Sequence, residues 1–284
     1  MENLVLQSRG KVNFALNVLG KRPEDGYHDV DMVMLPVSIA DTVRLEPAED
    51  IRVVCRPDIA GPMDTNLAYK AARLLQRETG YQGGALITID KVIPVAGGMA
   101  GGSTNGAAAL RGLNRLWELG LADHDLERLA MRLGSDVPFF IAERPARVQG
   151  VGDRLRPIPV ASNLWLVLGT PPVAKSTGNV YRLFDELAHV ERPNVDQMER
   201  ALAAGDLRDI AGALGNVFEQ VMLPRHAEIA ELKSLMLREG AVGALMSGAG
   251  PTVFGLVPDQ EAGRGLVRKL AQAGQPAVLA RTVN

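Results

Sequence analysis

Apolar and polar positions alternate from the start of the chain. Val5 to Val18 reads as a strand on both sides of Arg9-Gly10, and Met32 to Ile39 and Thr42 to Leu45 read as two more strands, with Asp41 at the turn between them. The period then lengthens. Leu67, Ala71, Leu74 and Leu75 fall on one face of a helix from Leu67 to Glu78, opened by Asp64-Thr65-Asn66 and closed by Gly80. Ala85 to Asp90 is a strand and a glycine-rich run follows it. Ser103 or Thr104 is placed to cap the next helix, which extends to Leu119 before Gly120. A shorter helix spans Asp123 to Leu133 and ends at Gly134.

Prolines 157 and 159 punctuate the chain at the expected end of a first lobe, so residues 1–156 and 157–284 are expected to form two lobes. Past them, Leu164 to Leu168 is an apolar strand and Ser176 opens a helix carrying Val180, Leu183, Phe184 and Leu187 at helical spacing. Two helices between Asn194 and Leu214 and one from His226 to Leu237 come next. The chain then reads strand, turn, strand, helix, strand: Val242 to Met246, Thr252 to Val257, Glu261 to Ala273 and Ala277 to Ala280. The expected fold class is α+β in two lobes.

Composition narrows the field of functions. With 284 residues, 46% of them hydrophobic and 23% charged, the chain can bury a large core. A net charge of −2 with no dense Lys/Arg run leaves no basic footprint for nucleic acid, and few aromatics are present for base stacking. No apolar stretch approaches the roughly 20 residues of a membrane span. Cys55 is the only cysteine, which excludes an intrachain disulfide or a Cys-rich zinc site. The N-terminus lacks the basic-then-apolar pattern of a signal peptide, so a cytoplasmic setting is expected.

The chemistry concentrates in Pro94-Val95-Ala96-Gly97-Gly98-Met99-Ala100-Gly101-Gly102-Ser103-Thr104, between a strand and a helix. Glycines let backbone N–H groups approach a ligand closely, and a helix start offers unpaired N–H groups and a positive dipole end. The run is expected to be a phosphate site, with the Ser103 and Thr104 hydroxyls available for a phosphate or, at Ser103, a magnesium ion; a flexible turn with an ordinary Ser/Thr cap is the alternative. A Walker loop would need a Gly-Lys-Ser/Thr ending that is absent here, and the glycine spacing does not fit the Rossmann pattern.

Three motifs in order, Arg9-Gly10-Lys11-Val12-Asn13, Pro94 to Asn105, and Ser247-Gly248-Ala249-Gly250-Pro251-Thr252, resemble those of the GHMP kinases. Further matches at Arg22 to His28, Gly134 to Phe140 and Gly150-Val151-Gly152 resemble the branch whose substrate carries a cytidine diphosphate group. The resemblance spans essentially the whole chain. It implies a two-lobed fold, an N-terminal lobe like domain 2 of ribosomal protein S5 and a ferredoxin-like C-terminal lobe, with the active site in the cleft between them. It also implies an ATP- and Mg2+-dependent kinase of a small-molecule alcohol, working as a monomer or homodimer without nucleic acid or membrane. Mevalonate- or homoserine-type kinases and a non-catalytic metabolite sensor are the alternatives on the same scaffold. The family usually has Gly at Ala96 and Ala100, where alanine is expected to take right-handed or extended backbone.

By the same resemblance Lys11 and Asp136 form the catalytic pair, Asp136 as base, and Asn13 reaches the substrate. Read from the residues alone, Lys11 also fits a solvated strand end and Asp136 a helix cap before Pro138. Tyr27 and His28, after the turn-forming Asp25-Gly26, are implied to bind the cytosine, with Tyr181 as a second aromatic; a backbone-bonded turn histidine and a tyrosine on the apolar face beside Phe184 remain open. Asn66 and Lys91 are candidates for adenine contact or for capping and surface roles. The third motif is expected to buttress the phosphate loop, a role compatible with a tight hairpin.

Overall fold

In the computed structural model, residues 3–58 and 62–284 are described. They gather into two compact units, each discontinuous in sequence. One comprises the stretch ending at Gly10, Ile39–Val95 and Ala100–Glu143; the other comprises Lys11–Ser38, Ala96–Met99 and Arg144–Asn284. Two long strands, β1 (Leu4–Lys21) and β2 (His28–Ala48), contribute residues to each. A single strand therefore replaces the two expected on either side of Asp41. Asp41 lies inside β2 and is fully buried, because strand and loop donors satisfy its carboxylate where a turn would have exposed it.

In the first unit the C-terminal half of β2 pairs antiparallel with β4 (Gly84–Asp90), from Thr42↔Asp90 to Ala48↔Gly84. β3 (Ile51–Arg56) adds to β4 in parallel. Helices α1 (Leu67–Thr79) and α2 (Gly101–Leu116) pack on each other, with α3 (Asp123–Met131) and α4 (Phe139–Ala142) following. As expected, Asn66 caps α1 through its side chain, and Gly80 ends the helix at a φ of 72°. Gly112 lets α2 lie against the sheet, since a Cβ there would stand 2.1 Å from Leu45 Cδ1.

In the second unit the N-terminal half of β2 pairs with β5 (Ala146–Gly150), which pairs with β6 (Arg154–Pro157). β7 (Trp165–Gly169), β9 (Gly243–Met246), β10 (Val253–Val257) and β11 (Ala277–Arg281) form an antiparallel sheet in the order β11-β7-β10-β9. Numbered within the sheet this is 4-1-3-2, the ferredoxin-like order. β7, β9 and β10 are buried almost throughout, with Phe254 among the largest fully buried side chains, while the edge strand β11 is largely open. Helices α5 (Thr177–Asp185), α6 (Val195–Ala204) and α7 (Leu207–Ala213) precede β8 (Gly215–Asn216), which pairs with β1 at Ala15↔Gly215 and Leu16↔Asn216. Then come α8 (Glu219–Met222), α9 (Ala227–Arg238) and, between β10 and β11, α10 (Gln260–Gln272). Ser176 caps α5 as expected, its Oγ accepting from Asn179 N at 3.2 Å.

β1 buries polar side chains along an otherwise apolar core strand: Ser8, Lys11 and Asn13 are all at most 4% exposed. Burying such groups is costly unless each has partners, so their partners locate the site.

Candidate active site

In the first unit, helix α2 does not start where expected. Ala100 is its N-cap, at φ 57° and ψ 34°, with no side-chain cap bond, and Ser103 and Thr104 lie inside the first turn. Ala96, in the second unit, is also left-handed, at φ 55°. Both alanines thus take the glycine-like backbone that their Cβ disfavours, contrary to the right-handed or extended expectation. Such backbone is strained for a residue with a Cβ, and at Ala100 it falls where the chain enters α2.

Behind that helix start lies a closed polar network. The Asp41 carboxylate accepts Val92 N at 2.7 Å and Ile93 N at 2.8 Å on Oδ1, and Asn105 Nδ2 at 2.9 Å and the Lys91 ammonium on Oδ2. Lys91 also donates to Asn105 Oδ1 at 2.9 Å. Asn105 Nδ2 donates to Ser8 Oγ at 3.0 Å, and the Ser8 hydroxyl donates to Thr104 Oγ1 at 3.0 Å. Four bonds fill the lone pairs of Asp41, which ties β1, β2, the segment after β4 and the first turn of α2 together. Thr104, 2% exposed, belongs to this network. Ser103 is less buried. Asn66 Oδ1 accepts from Ala68 N at 2.9 Å, so its side chain caps α1. Asp136 sits half-exposed in the turn between Gly134 and Pro138. Pro138 is the N-cap of α4 and no side chain caps that helix, so Asp136 is not used as its cap.

In the second unit, Lys11 is 4% exposed and its Nζ donates to Asn13 Oδ1 at 2.6 Å and to the Gly98 carbonyl at 3.0 Å. Asn13 Nδ2 in turn reaches Met32 Sδ at 3.3 Å. The first motif is thereby clamped onto the glycine loop, and Lys11 is no solvated strand-end lysine. The third motif reaches the same loop. Ser247 Oγ donates to the Gly98 carbonyl at 3.1 Å and Thr252 N donates to the Gly97 carbonyl at 3.1 Å. A Cβ on Gly98, at φ +84°, would stand 2.2 Å from the Ser247 carbonyl oxygen, so only glycine permits this approach. Ser247 to Thr252 is also a hairpin, as Ser247 N donates to Thr252 O at 2.9 Å. Asn216 Nδ2 holds it from below, donating to Met246 O at 2.7 Å and Gly248 O at 2.8 Å.

A second cluster forms around α5. His28 Nε2 bonds Asp185 Oδ1 at 2.7 Å; a carboxylate only accepts, so Nε2 carries the hydrogen. The Tyr181 ring lies 4.7 Å from the His28 ring and 4.8 Å, edge-on, from Phe218, which Phe184 also packs against at 5.8 Å. Tyr181 therefore belongs to the apolar cluster and to the histidine at once. Tyr27 is 63% exposed, on the turn held by Arg22 N to Tyr27 O at 2.7 Å and by Gly26 at φ 74°. Asp185, four residues beyond Tyr181 on the same helix face, was the partner that helical spacing could have indicated. Lys175, just before α5, was not singled out either: burial first, then the positive charge of Lys11, pulls its ammonium down to about 8.

The GHMP kinases N terminal domain matches residues 66–144, and the GHMP kinases C terminal domain matches residues 198–275. A 4-diphosphocytidyl-2-C-methyl-D-erythritol kinase of Symbiobacterium thermophilum is 56% identical over 280 residues, covering 98% of this chain and 99% of its own. The chain belongs to the GHMP kinase family. Another relative of this GHMP kinase, from Geobacillus kaustophilus and with the same name, is 46% identical over 257 residues, 89% of this chain and 88% of its own. The crystal structure of a 4-(cytidine 5'-diphospho)-2C-methyl-D-erythritol kinase superposes on it with a TM-score of 0.83 at 32% identity, covering 99% of this chain and 100% of that one. A homoserine kinase from Cytophaga hutchinsonii, at 17% identity and a TM-score of 0.73, covers 100% of this chain and 95% of its own, and shares the fold. The two-domain GHMP kinase fold expected from the motifs is thus the observed one. Among the described residues of this GHMP kinase, no group of three His, Cys, Asp or Glu gathers to hold a metal ion, and no helix is long and apolar enough to cross a membrane.

Proposed function

We propose that this GHMP kinase transfers the γ-phosphoryl group of ATP to the 2-hydroxyl of 4-diphosphocytidyl-2-C-methyl-D-erythritol, giving the 2-phosphate and ADP, in the cytoplasm. The observation that supports the reading is the buried Lys11 ammonium, bonded to Asn13 and to the Gly98 carbonyl of the glycine-rich run. The name shared by relatives that cover nearly the whole chain supports the substrate.

Phosphoryl transfer needs positioned oxygens and neutralised charge more than covalent help. The backbone N–H groups between Val95 and Ser103, where the loop enters α2, receive the ATP phosphates. Lys11, with Asn13, draws charge from the hydroxyl oxygen as that oxygen attacks the γ-phosphorus and the bond to the β-phosphate breaks. Asp136 takes the hydroxyl proton. Asn66 and Lys91 line the adenine side, Lys91 through a donor not used by Asp41 and Asn105. Tyr27, His28 and Tyr181 hold the cytosine, by ring faces and by the polar edge of His28 whose orientation Asp185 sets. Magnesium would neutralise the transferring phosphates. Since no group of three His, Cys, Asp or Glu gathers among the described residues, it would be held by the phosphates and by few protein oxygens, Ser103 among them.

Purified protein given ATP and 4-diphosphocytidyl-2-C-methyl-D-erythritol, mevalonate or homoserine tests the reading. It predicts the 2-phosphate from the first alone. Turnover of mevalonate or homoserine instead, or of none, contradicts it.

A further inference from the structure

His28 is held from two directions. It opens β2, and its ring lies 4.7 Å from that of Tyr181, which itself stands edge-on to Phe218 at 4.8 Å. Its Nε2 meets Asp185 Oδ1 at 2.7 Å, and Asp185 is the last residue of α5, one turn beyond Tyr181. The other carboxylate oxygen, Oδ2, lies 3.9 Å from the ammonium of Lys21, the residue that ends β1. Asp185 thus joins both ends of the β1–β2 turn, which carries Tyr27, to the helix that carries Tyr181.

The His28–Asp185 contact decides which ring nitrogen can face a ligand, and in what role. A carboxylate only accepts, so the hydrogen of the neutral ring sits on Nε2 and Nδ1 keeps its lone pair. Among the described residues no hydrogen bond engages Nδ1. The His28 side chain is only 9% exposed, so little water is at hand to take that place, and an unpaired polar atom is costly there.

An acceptor fixed in this way distinguishes the two common pyrimidines. The exocyclic group beside N3 is an amine in cytosine, which donates, and a carbonyl in uracil, which accepts. The Nδ1 lone pair can receive the amine, whereas the carbonyl would leave two acceptors facing each other unpaired. We propose that Asp185 is a positioning residue that holds His28 in its Nε2–H form, so that Nδ1 accepts the exocyclic amine and the site takes a cytosine nucleotide over a uracil one. This rests on the proposed binding of cytosine by Tyr27, His28 and Tyr181, and adds what selects the base. Asp185 acts on the base only through His28.

Calorimetric binding of CDP and UDP to the full chain, as wild type, Asp185→Asn and Asp185→Glu, tests the inference. Nitrogen NMR spectra of the histidine rings accompany it, the His28 signal being the one lost in His28→Gln. Wild type should carry the hydrogen on Nε2 and bind CDP more tightly than UDP by about tenfold to a hundredfold, about 1.4 kcal/mol for each factor of ten. An asparagine amide both donates and accepts, so Asp185→Asn frees the ring to carry its hydrogen on Nδ1. CDP affinity should then fall while UDP affinity rises, opposite changes that a loosened site would not give. Asp185→Glu presents only an acceptor and should keep the preference for CDP. Wild type that binds CDP and UDP equally, or a CDP-to-UDP ratio unchanged in Asp185→Asn, overturns the inference and leaves the nucleotide site standing. A wild-type spectrum with hydrogen on Nδ1 also overturns it, whatever the stability of the variants. Wild type that binds neither nucleotide overturns the substrate reading and this inference with it.

Discussion

Ala96→Gly and Ala100→Gly should each stabilise the protein, although glycine usually weakens a helix start or a loop. Both alanines sit at left-handed backbone, φ 55° and 57°. For an L-residue with a Cβ that conformation costs about 1–2 kcal/mol. Glycine removes the cost but adds about 0.5–1 kcal/mol through the extra freedom of the unfolded chain. The net gain is about 0.5–1 kcal/mol per site. An unfolding entropy of about 2.1 cal/mol/K per residue makes this a rise of roughly 1–2 °C per substitution for a chain this long. Glycine is also at no disadvantage as an N-cap at 100, where no side chain makes a cap bond. The assay is thermal melting of both single variants and the double, with urea titration of the same proteins. Gly98→Ala is the opposing control from the same loop, since its Cβ would stand 2.2 Å from the Ser247 carbonyl oxygen. It should lower the melting temperature and, by displacing the carbonyl that receives Lys11, lower kcat as well. If both alanine-to-glycine variants melt below wild type by the amount expected of an ordinary glycine substitution, the left-handed geometry of the phosphate loop is refuted.

Asp41→Asn should destabilise by about 3–5 kcal/mol in urea denaturation, because it leaves the Lys91 ammonium buried without its counter-ion. Asp41→Asn with Lys91→Met should recover part of that loss, and strict additivity would show that the two do not interact. Burial first, and then the positive charge of Lys11, pulls the Lys175 ammonium down to about 8. The same depressed value means that the folded state binds fewer protons than the unfolded between about 8 and the ordinary lysine value near 10.4, so stability should rise with pH through that window. In Lys175→Met this pH dependence of stability should disappear.

Local signals in the sequence are legible where one residue and its near neighbours decide the outcome. Asn66 before Leu67, Gly80 after the helix and Ser176 before Thr177 all act within a turn of themselves, and each caps or ends its helix as its chemistry dictates. Asp41 is the opposite case. An aspartate between apolar runs has the local signature of a turn, and what keeps it inside β2 is a set of donors from Lys91, Val92, Ile93 and Asn105, far along the chain. The short strands β3, β5 and β6 are fixed by their partners in the same way and carry little period of their own. The Lys11–Gly98–Ser247 contact was approachable as three motifs in order, but the motifs cannot reveal that a single carbonyl receives both side chains. Ala100 departs from its steric preference because that preference describes an isolated residue, while here the residue sits at the turn from loop into α2. Lys175 has no motif around it, and its lowered pKa comes first from burial and then from the charge of Lys11, which only the fold provides.

The most direct test of the central claim is single-turnover phosphoryl transfer by Asp136→Asn beside wild type, with ATP binding measured on the same samples. Asparagine keeps the shape of the side chain and removes its capacity to take the hydroxyl proton. Transfer to 4-diphosphocytidyl-2-C-methyl-D-erythritol should fall by about 10²–10⁴-fold while ATP affinity stays at the wild-type value. Transfer that survives within a factor of ten, or that disappears together with ATP binding, would contradict the assignment of Asp136 as the group that receives the proton.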